Sequence, residues 1–255
     1  MQYYNALKFY IYMYLYLYIT TKPNISLQNV FDGFIIYKKG GNDMENFVNT
    51  YYRKKGEVLV KNLQARHFEA YYCENAEQAL AKALSLIPEG STVGWGGAAS
   101  ARQIGLFDAI HAGNYTAIDR DLLPTMEEKA KAACACLSAD VFITGANAIS
   151  LDGQMVNIDG TGNRVGAIVF GPDSVIVIAG MNKVQDTLDG AIHRARTIAA
   201  PINTQRFPGE SPCRRNGVCG DCKSNDCICN HIVITRHCKP AGRIKFIIVG
   251  QELGF

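Results

Sequence analysis

"SVIVIAG" (Ser174–Gly180) is the stretch whose reading decides the fold. Between Ser174 and Gly180 every residue is apolar, and most are β-branched. A strand with one wet face would alternate polar and apolar positions. This one does not, so it expects cover on both faces, as strands of a parallel sheet have. "FIIVG" (Phe246–Gly250) reads the same way. Outward from these two, runs of strand length alternate with helical patterns from residue 44 onward. Phe47, Tyr51, Leu59 and Leu63 mark a first helix, and "FEAYYC" (68–73) a strand. A helix follows in "ENAEQALAKALSLI", started by Glu74 or Asn75, then strand "STVGWGG", helix "SARQIGLFDAIHAG", strand "YTAID", helix "TMEEKAKAACACLSA" and strand "VFITG". After Gly180 come a helix from Val184 to Ala200 and strands "HIVITRH" and "RIKFIIVG". Such alternation predicts one α/β domain, a mostly parallel Rossmann-like sheet with helices on both faces.

Two glycine-bearing stretches fall at strand ends, where open α/β sheets bind ligands. In "VGWGGAASARQIG", Gly94, Gly96 and Gly97 end a strand and Ser100 is placed to cap the next helix. Glycines permit close backbone approach, and a helix start offers N–H groups to an anion. Tight strand-to-helix packing explains the same glycines, and Trp95 reads equally as packing residue or ligand wall. The second stretch, Thr144–Ala167, breaks the α/β alternation. "ISLDGQMVNI" predicts a β-hairpin about Asp152–Gly153, inserted before a loop-to-helix junction in "GTGNRVGA". Asn147, Asn157, Asp159, Gly160, Gly162, Asn163 and Arg164 lie near its turns. Asn, Asp and Gly are turn formers in their own right. Two junctions flanking one crevice nevertheless favour a small-molecule site for an anion.

A formal charge of +3, with 48% apolar and 19% charged residues, is that of an ordinary globular chain. No Lys/Arg stripe with interleaved aromatics suggests nucleic acid. Residues 1–43 differ from the rest, holding eight of the thirteen tyrosines. "FYIYMYLYLYI" (Phe9–Ile19) is shorter than the ~20 apolar residues a membrane-spanning helix needs. With "GGND" behind it and Met44 opening a helix, residues 1–43 read as an N-terminal extension. A non-native start accounts for it, or a peripheral membrane anchor, and residues 44–255 form the domain.

Five of the nine cysteines crowd into "PCRRNGVCGDCKSNDCICN" (Pro212–Asn230). Cys213, Cys219, Cys222 and Cys229 are spaced C-x5-C-x2-C-x6-C, with Cys227 as a fifth thiol. Four thiolates in one loop suit zinc or an iron–sulfur cluster, although the spacing matches neither a ferredoxin run nor a zinc ribbon. Reduced thiols or a redox disulfide remain open alternatives. Arg214, Arg215 and Lys223 are expected to lower the neighbouring thiol pKa values. An odd cysteine count in a chain large enough to need no staples fits a reducing cytoplasm. Cys134 and Cys136 fall on different sides of one helix, about 200° apart.

Taken together, "GWGGAASARQIGLFDAI", "TGANAISLDGQMVNIDGTGNRVGAIVFGP", "VIVIAGMNKV", "RARTIAAPIN" and "VGQELGF" resemble the LUD-domain family of lactate-utilisation proteins, from about Met44 to Phe255. The resemblance implies a NagB/RpiA/CoA-transferase-like fold. It also implies a part in oxidising L-lactate to pyruvate, beside partner subunits of an iron–sulfur oxidoreductase complex. Two other functions stay open. One is a metal-stabilised protein that binds small anions or regulates without catalysis of its own. The other is an isomerase or transferase of a phosphorylated small molecule. Ribose-phosphate isomerases of this superfamily carry Gly-Ala-Asp where this chain has Gly145-Ala146-Asn147, and an amide is no general base. That third reading therefore needs Asp152 or Asp159 instead. No catalytic residue stands out.

Overall fold

The computed structural model describes the backbone of residues 27–255 and the side chains of residues 44–255. The tyrosine-rich run at 9–19 lies outside the described residues. The chain forms two compact units, Met1–Thr50 and Tyr51–Phe255. What is described of the first is the beginning of helix α1 (Leu27–Ala65).

The predicted helix start at Met44 is not observed, since α1 runs through Gly40–Asp43. Two interior glycines weaken a helix by about 1 kcal/mol each without having to break it. Leu59 and Leu63 are fully buried as expected, but Phe47 and Tyr51 are exposed. The helix ends where His67 takes a left-handed φ of 64°, a conformation histidine accepts better than most side chains.

Beyond α1 the order is β1 (Glu69–Cys73), α2 (Ala76–Ser85), β2 (Thr92–Gly96), α3 (Ala99–Gln103), α4 (Leu106–Ala112), β3 (Thr116–Ile118) and α5 (Met126–Ala135). Then come β4 (Val141–Gly145), β5 (Ala148–Ser150), β6 (Met155–Asp159), α6 (Asn163–Val169), β7 (Ser174–Gly180) and β8 (Val184–Gln185). The chain closes with α7 (Leu188–Arg194), a π-helical turn (Ala195–Ala199), α8 (Ala200–Thr204), α9 (Pro212–Asn216), β9 (His231–Thr235) and β10 (Ile244–Val249).

Local signals explain several boundaries. Asn75 caps α2 by accepting from Gln78 N, and Thr125 with Glu128 forms a capping box on α5. Gly105, at φ 78°, divides the helix expected over 100–113 into α3 and α4. The helix expected from Val184 starts four residues late. Val184 and Gln185 instead pair with β5, and Thr187 caps α7 by accepting from Gly190 N.

Six strands form one sheet in the order β1-β10-β7-β4-β2-β3, every pair parallel. The two apolar strands, β7 and β10, are neighbours at its centre. Val175, Val177, Phe246 and Ile248 pack to one face, with Leu59, Leu63 and Phe68. Ile176, Ile178, Ile247 and Val249 pack to the other, with Ala79, Ala83 and Ile110. The sequence did not show that the hairpin founds a second sheet, β8-β5-β6-β9, which also takes β9. β5–β6 and β6–β9 run antiparallel. The hairpin tip sits on α1, where Arg66 grips Asp152 and Asn62 donates to Leu151 O.

Phe246 is fully buried at the sheet centre and meets Phe68 edge-on at 5.1 Å. Phe246→Ala should cost about 3–5 kcal/mol in urea denaturation, the usual range for a core phenylalanine. A loss below about 1 kcal/mol would contradict the core described here.

Candidate functional site

The two predicted turns do meet, at the carboxyl ends of β2 and β4. Gly97 has a positive φ of 58°, and a side chain there would stand 2.9 Å from Arg164 Cδ. Gly96 likewise gives room to Arg164 Cβ at 3.5 Å. Gly94 does something else, leaving space for the Cys136 thiol, 2.6 Å from where its Cβ would be. Trp95 is a packing residue, stacked on Phe107 at 4.5 Å.

Asn147 ties the arrangement together. Its Oδ1 accepts from Arg164 Nη2 at 2.8 Å and from Ile158 N at 2.9 Å. Its backbone carbonyl accepts from Arg194 Nη1, and its N–H points to Asn157 Oδ1 at 3.3 Å. Arg164 also donates to Ile158 O, and Arg194 Nε to Asn182 O. Among the described residues, Nε and Nη1 of Arg164 make no hydrogen bond, and buried Asn157 Nδ2 has no partner.

The amide cradles expected at the two helix starts are used differently. Asp159 accepts from Gly160 N, Arg164 N and Val165 N, so a carboxylate of the chain already occupies the start of α6. Ser100 lies inside the five-residue α3 and caps nothing, because Ala98 holds the cap position. Its hydroxyl instead accepts from Lys183 Nζ at 3.1 Å and reaches Leu253 O at 3.3 Å. Gly162, at φ 83°, leads into α6 beneath His231, and Asn163 accepts from Thr161 in the same turn.

Lys183 is the buried basic residue that motif reading missed. It is 3% exposed, and among the described residues its one hydrogen bond is to Ser100. Its ammonium is close to the ends of β4 and the C-terminal segment, since a Cβ on Gly145 would lie 3.9 Å away and one on Gly254 2.8 Å. Burial, then the charges of Arg194 and Arg164, pull its pKa down to about 7. Burial also lowers Arg164 and Arg194, with Asp159 partly restoring Arg164. Three buried basic side chains thus gather near the strand ends, with Asp159 the acidic group coupled to Arg164. Desolvated positive charge of this kind attracts a small anion. A sequence signal was available: a lysine three residues past the apolar β7 cannot easily reach water.

The cysteine loop packs on the second turn. Gly160 leaves room for Ile228, and Asn230 donates to Gly160 O. All nine cysteines are free. The Cys229 thiol is pushed up to about 12 by burial and by the nearby Cys227, Cys213 and Cys219. Cys227 is raised too, mainly by burial. The expectation that Arg214, Arg215 and Lys223 lower these thiols therefore fails for Cys227 and Cys229, where burial and thiol neighbours win. Although the thiols feel one another, among the described residues no three His, Cys, Asp or Glu side chains are grouped to hold a metal ion. In this arrangement the donor set does not close. Asp152, proposed as a possible base, is held by Ser150, Gln154 and Arg66 at the hairpin tip.

The chain is thus a parallel α/β sheet with a second, smaller sheet, and buried basic side chains gather at its strand ends. The LUD domain profile matches residues 56–249, and the chain belongs to that family, which is related to lactate utilisation. Among solved structures the chain is similar to a DUF162 family protein from Deinococcus radiodurans. That pair is 13% identical, covers 79% of this chain and 97% of that one, and has a TM-score of 0.44. It is also similar to ribose 5-phosphate isomerase A from Neisseria gonorrhoeae, at 19% identity and a TM-score of 0.29. That match covers 44% of this chain and 54% of the isomerase, about half its length. Among curated proteins nothing matches. Among the described residues no helix is long and apolar enough to cross a membrane.

The depressed lysine pKa has a consequence for stability. Below about 7 both folded and unfolded Lys183 are protonated, and the fold carries the full cost of the buried charge. Between about 7 and the ordinary 10.5 only the unfolded state holds the proton, so stability gains with rising pH. Lys183→Met should be more stable than the unaltered protein at neutral pH. The gap between the two, followed by thermal melting, should narrow towards pH 10.5. A pH-independent gap would show that the amine is ordinarily solvated.

Proposed function

We propose that this chain acts in the cytoplasm in lactate utilisation. It would be a subunit or relative of an iron–sulfur oxidoreductase complex that oxidises L-lactate to pyruvate, and would hold the small carboxylate at the ends of β2, β4 and β7. The observation that carries the reading is the trio Arg164, Lys183 and Arg194, buried together with donors left over. Family membership supports lactate or pyruvate as the anion. Arg164 is the best carboxylate partner, because its unbonded Nε and Nη1 edge can engage two oxygens at once. Lys183 stands beside Gly145, which abuts Gly97 O, and would offer a second basic group to the rest of a three-carbon acid.

Calorimetry of the purified chain with lactate and with pyruvate tests this directly. Arg164→Met should weaken binding by about tenfold or more, the worth of one charge-assisted hydrogen bond. Equal affinity in the variant, or no binding of either acid by the unaltered protein, removes the reading. Lactate-dependent dye reduction, with and without iron–sulfur partner proteins, then separates a complex subunit from a binding protein without catalysis.

Cys213, Cys219, Cys222 and Cys229 are proposed as ligands of zinc or an iron–sulfur cluster. Uptake requires the loop to draw these thiols closer together, because the set is not closed as it stands. Metal binding would also expel the thiol protons that burial now retains. Protein purified without oxygen should carry stoichiometric metal, read by elemental analysis. Broad visible absorbance would identify iron–sulfur, and a colourless protein with zinc a structural site. Metal content unchanged by Cys219→Ser with Cys222→Ser would rule the loop out.

A further inference from the structure

We infer that Lys183 is a covalent site, whose amine condenses with the carbonyl carbon of a small 2-oxo acid to form an imine. This rests on the reading of the crevice as a lactate- and pyruvate-sized carboxylate site, and adds a chemical step to it. The surroundings of Nζ are unusual for a buried lysine. Buried lysine amines normally answer a carboxylate, but the partner here is the hydroxyl of Ser100, 3.1 Å away. The two charged neighbours, Arg194 and Arg164, are themselves cations. Such a setting favours the neutral amine, which is the nucleophilic form. Structural anchoring does not account for it, since a hydroxyl and two guanidinium groups hold an ammonium poorly.

The remaining groups are placed for the same chemistry. Arg164, with Nε and Nη1 unbonded, packs on Gly97, while Lys183 Nζ lies by Gly145, which itself abuts Gly97 O. Arg164 is near enough to Lys183 for the two charges to interact, so a carboxylate on Arg164 would bring its adjacent 2-oxo carbon to the same cluster. The segment Gln251–Gly254 closes over Lys183. Leu253 N donates to Asn182 Oδ1, Met181 N to Gln251 O, and Gly254 leaves no side chain above Nζ. Water is thereby kept from a product that water would hydrolyse.

In the step itself, the Nζ lone pair adds to C2 of the 2-oxo acid. The two amine hydrogens depart with the former carbonyl oxygen as one water molecule, and a C=N bond replaces C=O. Nothing is oxidised or reduced. Ser100 Oγ, within hydrogen-bond reach of Nζ, is positioned to relay a proton as the water leaves.

The test uses the full chain with pyruvate as probe, followed by cyanoborohydride to trap an imine as a stable amine. Intact mass should then increase by one reduced pyruvyl group, and peptide mapping should place it on Lys183. Labelling there should exceed that of any other lysine by about tenfold or more. Lactate, which has no carbonyl carbon, should give no adduct. Lys183→Arg keeps a long basic side chain but cannot form the imine, and should abolish the specific label. Mapping of the unaltered protein decides the matter even if that variant does not fold. No adduct, or one spread evenly over surface lysines, overturns the proposal. If calorimetry still detects pyruvate binding in that case, the covalent step alone is lost. Absence of both signals removes the carboxylate site as well.

Discussion

Asn147 is the constraint on which the site depends. One residue at the end of β4 holds Arg164 through its side chain, Arg194 through its carbonyl, and the β6 backbone at Ile158. The bonds bring three separate parts of the chain to one place: the strand end, the helix start at Arg164 and the end of α7. Each guanidinium would otherwise lie in water, where desolvation costs nothing. Fixed by Asn147, both are buried charges, and burial together with their field lowers the Lys183 pKa to about 7. An amide serves better than a carboxylate for this purpose. It accepts the same hydrogen bonds without neutralising the positive field that a bound anion would feel.

Around that point the molecule divides the work between two sheets. The parallel sheet supplies rigid strand ends, with glycines at 96, 97 and 145 that let side chains from elsewhere cover the backbone closely. The smaller sheet carries Asn157 and Asp159, and through β9 it is joined to the cysteine loop. Asp159 is the link between the two. By accepting three backbone N–H groups it fixes the start of α6, and with it the position of Arg164. The cysteine loop rests on the same turn, at Gly160, so any tightening of the loop would be felt one turn away from Arg164.

The parts of the fold legible in the sequence were those set by local pattern. Continuous apolar runs gave β7 and β10, and turn chemistry at Asp152–Gly153 gave the hairpin. Asn75, one of two residues offered for the start of α2, is its cap. The convergence of the two glycine turns was also legible, because strand ends of a parallel sheet share one edge. What the glycines and helix starts would bind was misjudged. Backbone N–H groups at α6 look free in the sequence, and the carboxylate that occupies them, four residues before the helix begins, reads equally well as a turn former.

By itself, then, the sequence determined a doubly covered parallel sheet, an inserted hairpin and the edge on which a ligand site could form, since these follow from residue periodicity and from turns a few residues long. Only the tertiary structure decided which charges that site carries. Lys183, Arg164, Arg194 and the Gln251–Gly254 segment are far apart in sequence, and the electrostatic state of each depends on the others' burial. No local pattern records a charge's desolvation, because it is a property of everything packed around it.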